Sequence, residues 1–525
     1  MMMNTKPAST KSQIVKLIQK VGNMGNMLDN NTEVMSINAQ LTDKKMYKML
    51  LLFFFAFTCI IKGQTLDTVL DNYKKDKDLQ HASYSFCVLE ASSGKLLKEY
   101  NSELALVPAS TLKIVTTSAA LGILGKDYCY KTNFYNYTLT DSVTGKSANN
   151  LLIKGCGDPS FNSSYFYDND STFLNGIISK LKASKNYKKI TGSVYIDNTA
   201  FDNTIPSTWI WSDIGNYFGA GATSLSYKDN KFSLFYNSGA SGSNAQLEKI
   251  KPAYFSKKMS FDNKVTSGGT EDNAFVFGDP NTYSRVVSGT IPPNKKNYEV
   301  EAQMPEPALF FAEELNTEFK KQNIVSINSK PVIINTKTKT PDELLFSITS
   351  PKLDKIVFYT NTKSDNHYAE SLLNTIGSAK SGKQGTTDNG ITAVENYWKE
   401  RGVDIAGLHM VDGSGLSRAN TITTKIQATI LSKIYRDSTM YPAFNNSLPI
   451  AGKNGSMTNL CKGTFAENNM RAKTGYINRA RGYCGYVKTK SGKELAFSVL
   501  FNNYDCSAKE MKLKIEKLLV ALVEL

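Results

Sequence analysis

Three short stretches carry residues that could do chemistry together. In "PASTLKIVTT", Ser110 stands three residues before Lys113. Positions i and i+3 share one helical face, with Cβ atoms about 5–6 Å apart. A serine hydroxyl is a weak nucleophile until a base takes its proton. A neutral lysine can be that base, and burial or nearby positive charge lowers its pKa. The start of a helix adds partial positive charge that would steady an alkoxide. Alone, S-x-x-K recurs by chance in a Lys-rich chain. "NTKSDNHYAESLL" adds Ser364, Asp365 and Asn366, and "RAKTGY" adds Lys473, Thr474 and Gly475. Together they make an acyl-transfer set. Ser110 would attack a carbonyl and Lys113 would accept its proton. Ser364 would relay that proton to a leaving amine, with Lys473 facing it. Asn366 would orient Lys113 or the substrate amide. Lys473 and Thr474 suit a terminal carboxylate through charge-assisted bonds, and Gly475 permits close backbone approach. Backbone N–H groups of Ser110 and Tyr476 would form an oxyanion hole. This chemistry needs no metal and no organic cofactor.

The elements that must position these residues are legible in outline. "SYSFCVLEASSGKLLKEY" reads as a hairpin turning at Ser92-Ser93-Gly94. "STLKIVTTSAALGILG" has apolar residues at 112, 115, 119, 120 and 124, a helical face that Gly125 can end. From about Tyr128 to Phe346, short β-rich runs alternate with Gly, Asn and Ser turns. Within it, residues 237–287 are poorer in apolar residues and read as a further insertion. Helical patterning returns in "HYAESLLNTIG" and "ITTKIQATILSKIY". "ENNMRAKTGY" reads as a strand edge, "RGYCGYVKTKSGKELAFSVLFN" as a hairpin and "SAKEMKLKIEKLLVALVEL" as a closing amphipathic helix. The expected class is α/β (α+β): an opening unit that is interrupted and then resumes to the C-terminus.

With 525 residues, the chain is long enough for two or three domains. Its net charge of +15 suits anionic surfaces. No Arg-rich stripe or nucleic-acid fold motif accompanies that charge, so nucleic acid is set aside as a partner. "KKMYKMLLLFFFAFTCIIKGQ" places lysines before a charge-free run from Met49 to Ile61. A membrane-spanning helix needs about 20 residues, so this reads as a secretory signal peptide, with a small residue, Gly63, at its end. The membrane would be met only through this segment. Residues 1–48 then read as a disordered or mis-called extension, and 49–64 as the signal core and cleavage region. The seven cysteines include no C-x-x-C pair, so zinc is not expected. Six would follow the signal, making disulfides possible without fixing their pairing. Of the three histidines, His81, His367 and His409, none points to a Ser-His-Asp triad.

S-x-x-K, S-D-N and K-T-G together form the motif set of penicillin-binding proteins and class A β-lactamases. The chain resembles the DacB-type D-alanyl-D-alanine carboxypeptidases, the low-molecular-mass class C penicillin-binding proteins, from about Thr65 to its end. Further stretches carry the likeness: "GCGDPSF" (155–161), "GSVYIDNTAFD" (192–202), "WIWSDIGNYFGAGATSLSYKDN" (209–230), "SGTIPP" (288–293) and "DGSGLSR" (412–418). The resemblance implies a transpeptidase-like catalytic domain, an antiparallel sheet flanked by helices, from 65–127 and 347–525. It also implies an inserted domain from 128–236 and 288–346, with a nested one at 237–287. The expected activity is cleavage of the terminal D-Ala from peptidoglycan stem peptides, and also DD-endopeptidase work on cross-links, in the periplasm or envelope. β-Lactams would be covalent inhibitors. Asp213 matches the acidic residue that meets the ammonium of a diaminopimelate-type side chain, and Phe218 a wall of that pocket. Arg418 and Asn478 match cleft-lining residues. The blander readings are a loop cap for Asp213, core packing for Phe218 and a structural ion pair for Arg418. Asp158 and Gly413 read as turn residues. Two positions depart from the pattern: Tyr476, where a Thr or Ser is usual, and Cys156, where a smaller residue is. The alternatives are a β-lactamase or D-amino-acid esterase with the same motifs, and a wall-binding protein without turnover.

Overall fold

A computed structural model describes residues 65–525, apart from 169, 337 and 338. The expected extension and signal segment, with Cys59, lie outside the described residues. The fold is a mixed α/β one. A five-stranded antiparallel sheet runs in the order Arg471–Ile477, Ala480–Lys488, Glu494–Asn502, Ser83–Glu90, Leu96–Tyr100. Its two ends come from opposite ends of the chain, as the interrupted unit requires. The strand carrying Lys473 is an edge, as its sequence suggests.

Alternation along Glu494–Asn502 explains why both faces of this sheet are covered. Phe497, Val499 and Phe501 pack against Ile515 and Leu518 of the helix Ala508–Ala521 and Val69 of Leu66–Lys75. Ala496 and Leu500 face the other core, with Leu431 and Ile434 of Thr424–Tyr435. Side chains two apart share a face, so one strand serves two hydrophobic cores. The closing helix starts with a capping box between Ser507 and Glu510. The second core also holds Lys113–Leu124, Leu353–Thr362, Asn366–Ser381 and Thr387–Glu400, through Val115, Ile356, Leu372 and Trp398. Two of these helices begin with the last residue of a motif, Lys113 and Asn366.

Between these halves lies a second five-stranded sheet, ordered Val332–Ile334, Val194–Asp197, Ser147–Lys154, Lys131–Thr140, Glu343–Thr349. Two three-stranded sheets accompany it. One joins Tyr298–Gln303, Lys231–Asn237 and Gln246–Lys251; the other joins Ser260–Ser267, Ser284–Ile291 and Asn273–Phe277. The nested boundaries expected at 236/237 and 287/288 fall inside strands, Lys231–Asn237 and Ser284–Ile291. Val265, Val276 and Val287 share one core with Phe134, Ile153 and Phe311. A low local apolar content therefore marks an exposed face here rather than a separate core. The described cysteines, 87, 129, 156, 461, 484 and 506, are all free thiols.

Candidate active site

Ser110 lies on a single 3-10 turn, Ala109–Leu112, that leads directly into the helix Lys113–Leu124. The residue before it, Ala109, is held at φ 47°. An alanine there costs energy, of order 1–3 kcal/mol, that only surrounding structure can impose. Two glycines show what imposes it. A Cβ on Gly475 would stand 2.5 Å from the Pro108 carbonyl oxygen, and one on Gly415 2.0 Å from that of Ala109. The edge strand and the 412–418 loop are thus both pressed against the turn that presents Ser110, and neither position admits a side chain. Ser110 itself is half-buried, and so open to a ligand on one side.

Lys113 is wholly buried. Its Nζ lies 2.9 Å from Ser110 Oγ, 2.6 Å from Asn366 Oδ1 and 2.8 Å from the Ser414 carbonyl oxygen. A neutral amine has two N–H groups and one lone pair. Asn366 and Ser414 offer only acceptors here and take the two N–H groups, leaving the lone pair for the Ser110 hydroxyl. Burial pushes the Lys113 pKa down to about 8, opposed by Asp412, Glu370 and Asp365. This amine can lose its proton near neutrality, as a general base must.

Asn366 opens the helix Asn366–Ser381, capped by Asp365, whose carboxylate accepts from the Tyr368 N–H. Tyr165, from the inserted segment, donates to the same carboxylate at 3.0 Å. The Asn366 Nδ2 donates to the Phe218 carbonyl at 2.7 Å, so one side chain ties the insert to Lys113. Ser364 is in the left-handed region, φ 61°, and its Oγ accepts from Lys473 Nζ at 2.8 Å. Lys473 also donates to the Thr474 carbonyl at 2.8 Å. Burial, then Lys113, pushes its pKa well below the ordinary value. Among the described residues no carboxylate pairs with it.

Around this centre the other sequence-predicted residues divide. The Thr474 hydroxyl meets that of Ser456 at 2.7 Å. Tyr476 is 51% exposed, with the Arg481 guanidinium 4.8 Å from its ring centre, so its bulk points outward. Asp213 is buried and pairs with Arg418 across 3.3 Å. Burial raises the Asp213 pKa, opposed by Arg418. Phe218 is half-buried and stands edge-on to the exposed Tyr217 ring. Asn478 is exposed in the two-residue turn between paired Ile477 and Ala480. Asp158 accepts from the Ser160 N–H at 2.8 Å, a turn contact. Sequence reasoning missed the Ser414 carbonyl, Ser456, and the buried carboxylates Glu370 and Asp412. Asp412 accepts from the Trp209 indole N–H at 2.9 Å. A backbone acceptor leaves no residue-type signal; Glu370, in "NHYAESLL", could have been found as a carboxylate on the otherwise buried face of its helix.

This geometry has counterparts. Residues 66–523 match the family described as D-Ala-D-Ala carboxypeptidase 3 (S13). The chain belongs to that family. It is 27% identical to the D-alanyl-D-alanine carboxypeptidase of Actinomadura sp. (strain R39), covering 83% of this chain and 80% of that one. It is 23% identical to the D-alanyl-D-alanine carboxypeptidase DacB of Haemophilus influenzae, covering 82% and 88%. The crystal structure of penicillin binding protein 4 (dacB) from Haemophilus influenzae superposes with TM-score 0.71 at 20% identity, over 86% of this chain and 98% of that one. The same protein complexed with a β-lactam superposes with TM-score 0.66 at 19% identity, over the same shares, 86% and 98%. The family expected from the three motifs is the family found.

Proposed function

We propose that this S13-family chain is a serine D-Ala-D-Ala carboxypeptidase acting on peptidoglycan stem peptides, and also a DD-endopeptidase on cross-links, through an acyl-enzyme on Ser110. The observation that carries the reading is Lys113: a buried amine whose N–H groups face two carbonyl acceptors and whose third direction faces the Ser110 hydroxyl. In acylation, Ser110 Oγ bonds to the carbonyl carbon of the penultimate D-Ala as its proton passes to Lys113. The oxyanion is taken by the backbone N–H groups of Ser110 and Tyr476. Lys473 and Thr474 hold the terminal carboxylate. The C–N bond then breaks, and Ser364 relays a proton to the departing amine. Water then adds to the acyl carbon, the ester C–O bond to Ser110 breaks, and a proton returns to Ser110 Oγ as the shortened peptide leaves. A β-lactam mimics the same ligand and stays on the serine.

Asp213 and Arg418 supply adjacent opposite charges, which suits the zwitterionic end of a diaminopimelate-type side chain. Phe218 and Asn478 complete the cleft wall. Residues 128–346 act as an inserted module that positions Asn366 through Phe218. A wall-peptide substrate implies an enzyme of the envelope or periplasm, with residues 49–64 as the signal core and cleavage region; among the described residues no helix is long and apolar enough to cross a membrane.

The test is labelling with a fluorescent penicillin together with digestion of purified wall fragments. Wild type should label and release D-Ala, and Ser110→Ala should do neither. Labelling of Ser110→Ala would refute the nucleophile. Rapid penicillin turnover without D-Ala release would favour the β-lactamase reading, and labelling with no turnover of either ligand the wall-binding one.

A further inference from the structure

Glu370 lies four residues after Asn366 on the same helix and is 2% exposed. Its Oε1 accepts from the N–H groups of Gly413 at 3.1 Å and Ser414 at 2.8 Å, and its Oε2 from Gly413 at 2.9 Å. The carbonyls of these two residues turn the other way. That of Ser414 accepts from Lys113 at 2.8 Å, and that of Gly413 from the Thr116 hydroxyl at 2.7 Å. Both donors stand on the helix Lys113–Leu124. Glu370 and Lys113 thus grip opposite sides of one stretch of backbone. Asp412 braces the residues that follow, accepting from the Gly415 and Ser417 N–H groups at 2.7 Å, but the N–H groups of 413 and 414 are taken by Glu370: residue 413 has no side chain, and the Ser414 hydroxyl accepts within the loop, from the Leu416 N–H at 3.3 Å. The loop packs closely on the Glu370 helix at this point: a Cβ on Gly413 would stand 3.0 Å from the Ala369 carbonyl oxygen.

We infer that Glu370 is a positioning residue for acyl transfer: it clamps the Gly413–Ser414 backbone so that the Ser414 carbonyl holds one Lys113 N–H and the lone pair of the amine stays on Ser110. The inference rests on Lys113 being the base. It goes beyond the three motifs, none of which includes this residue. The charges around the clamp are few. Lys113 faces Glu370, Asp412 and Asp365, with Lys473 beyond, and Glu370 faces Asp412 and Lys113. Burial, then Asp412, pushes the Glu370 carboxyl up to about 8, opposed by the Ser414 and Gly413 N–H groups and by Lys113. The hydrogen bonds place the loop in either state, and the ionised carboxylate also favours the charged form of the lysine.

Three variants separate placement from charge. Glu370→Gln keeps an oxygen within reach of both N–H groups and removes the charge. Glu370→Asp keeps the charge one methylene short of the clamp. Glu370→Ala removes both. The readout is the penicillin acylation rate from pH 6 to 10, with thermal unfolding recorded for each variant. Misplacing a reacting group by about 1 Å can cost about 100-fold, so the alanine variant should lose about that much of its plateau rate while still folded. The glutamine variant should stay within about tenfold of wild type. Its acid limb should move to lower pH, because a negative charge favouring protonated Lys113 is gone. If the alanine variant does not fold, the aspartate variant decides: its plateau must fall below that of the glutamine variant. Equal plateau rates in Gln and Asp, or a wild-type plateau and profile in Ala, would overturn the clamp. Lys113→Ala in the same assay keeps the two ideas apart, since undiminished acylation there removes the base and not merely its support.

Discussion

The cleft is built around two buried lysines, and they are buried differently. Lys113 comes from a helix start and has three carboxylates close enough to oppose its desolvation: Asp412, Glu370 and Asp365. Lys473 comes from a sheet edge and has a serine hydroxyl, a backbone carbonyl and another lysine. Burial lowers both pKa values, but only Lys113 keeps nearby negative charge that partly restores its proton affinity. That balance, with a pKa of about 8, is what the proposed base needs to cycle between charged and neutral. Lys473 lacks an anion, and a carboxylate-bearing ligand would supply it.

The sharpest way to break this contrast is to remove the base. Lys113→Ala should lower penicillin acylation by a factor on the order of 10²–10⁴, the usual scale of general-base catalysis, with the fold retained. The pH profile carries the same information in wild type. The base must be neutral, its pKa is depressed to about 8, and so acylation should rise with pH and level off above that value. A profile flat from pH 6 to 10, or near-normal labelling of Lys113→Ala, would contradict the assignment.

On the other side, Lys473→Met should weaken acylation by ligands with a free carboxylate by about 10²-fold, since a buried charge-assisted pair is lost. Methyl esters of the same ligands should lose much less. Wild type should also take up protons when a carboxylate ligand binds, because the incoming anion raises a depressed lysine pKa. Calorimetry in buffers of different ionisation enthalpy reads this directly. No proton uptake between pH 7 and 8 would mean that Lys473 is already charged in the free protein.

The contrast also shows which parts of the site a sequence can display. Ser110, Lys113, Ser364, Asn366 and Lys473 are side chains with distinctive chemistry at fixed spacings, and helix and strand periodicity located their elements. Gly125 ends the Lys113–Leu124 helix with φ 84°, as its type suggests. The start was less legible: Ser110, Thr111 and Leu112, expected as helix, lie in the 3-10 turn Ala109–Leu112, which the 412–418 loop and the edge strand crowd. The Ser414 carbonyl was invisible because every residue has one. Asp213 and Arg418 were legible as charges but not as partners, since 205 residues separate them. The nested-domain boundaries at 236/237 and 287/288 rest on local composition, which reports exposure, whereas a shared core is a property of distant segments.

The Asp213–Arg418 pair gives a smaller expected effect. Asp213→Asn should reduce the preference for diaminopimelate-type over neutral side chains by about tenfold, roughly one partly exposed charge contact. Turnover of a side-chain-neutral peptide should change little. An unchanged preference would leave the Asp213–Arg418 pair a structural contact only.

The smallest effect tests how the Lys473 side reaches outward. In the free protein the Thr474 hydroxyl donates to Ser456 Oγ at 2.7 Å, so a ligand carboxylate that takes the Thr474 proton must displace this bond. If Ser456 turns to donate to Thr474 in exchange, the Thr474 proton is left for the ligand. Ser456→Ala should then raise KM for carboxylate ligands by about 3–10-fold, the worth of one neutral hydrogen bond, with kcat nearly unchanged. A loss in kcat instead would place Ser456 with the groups that contact the reacting carbonyl. No change in either constant would make Thr474 and Lys473 sufficient for the anion.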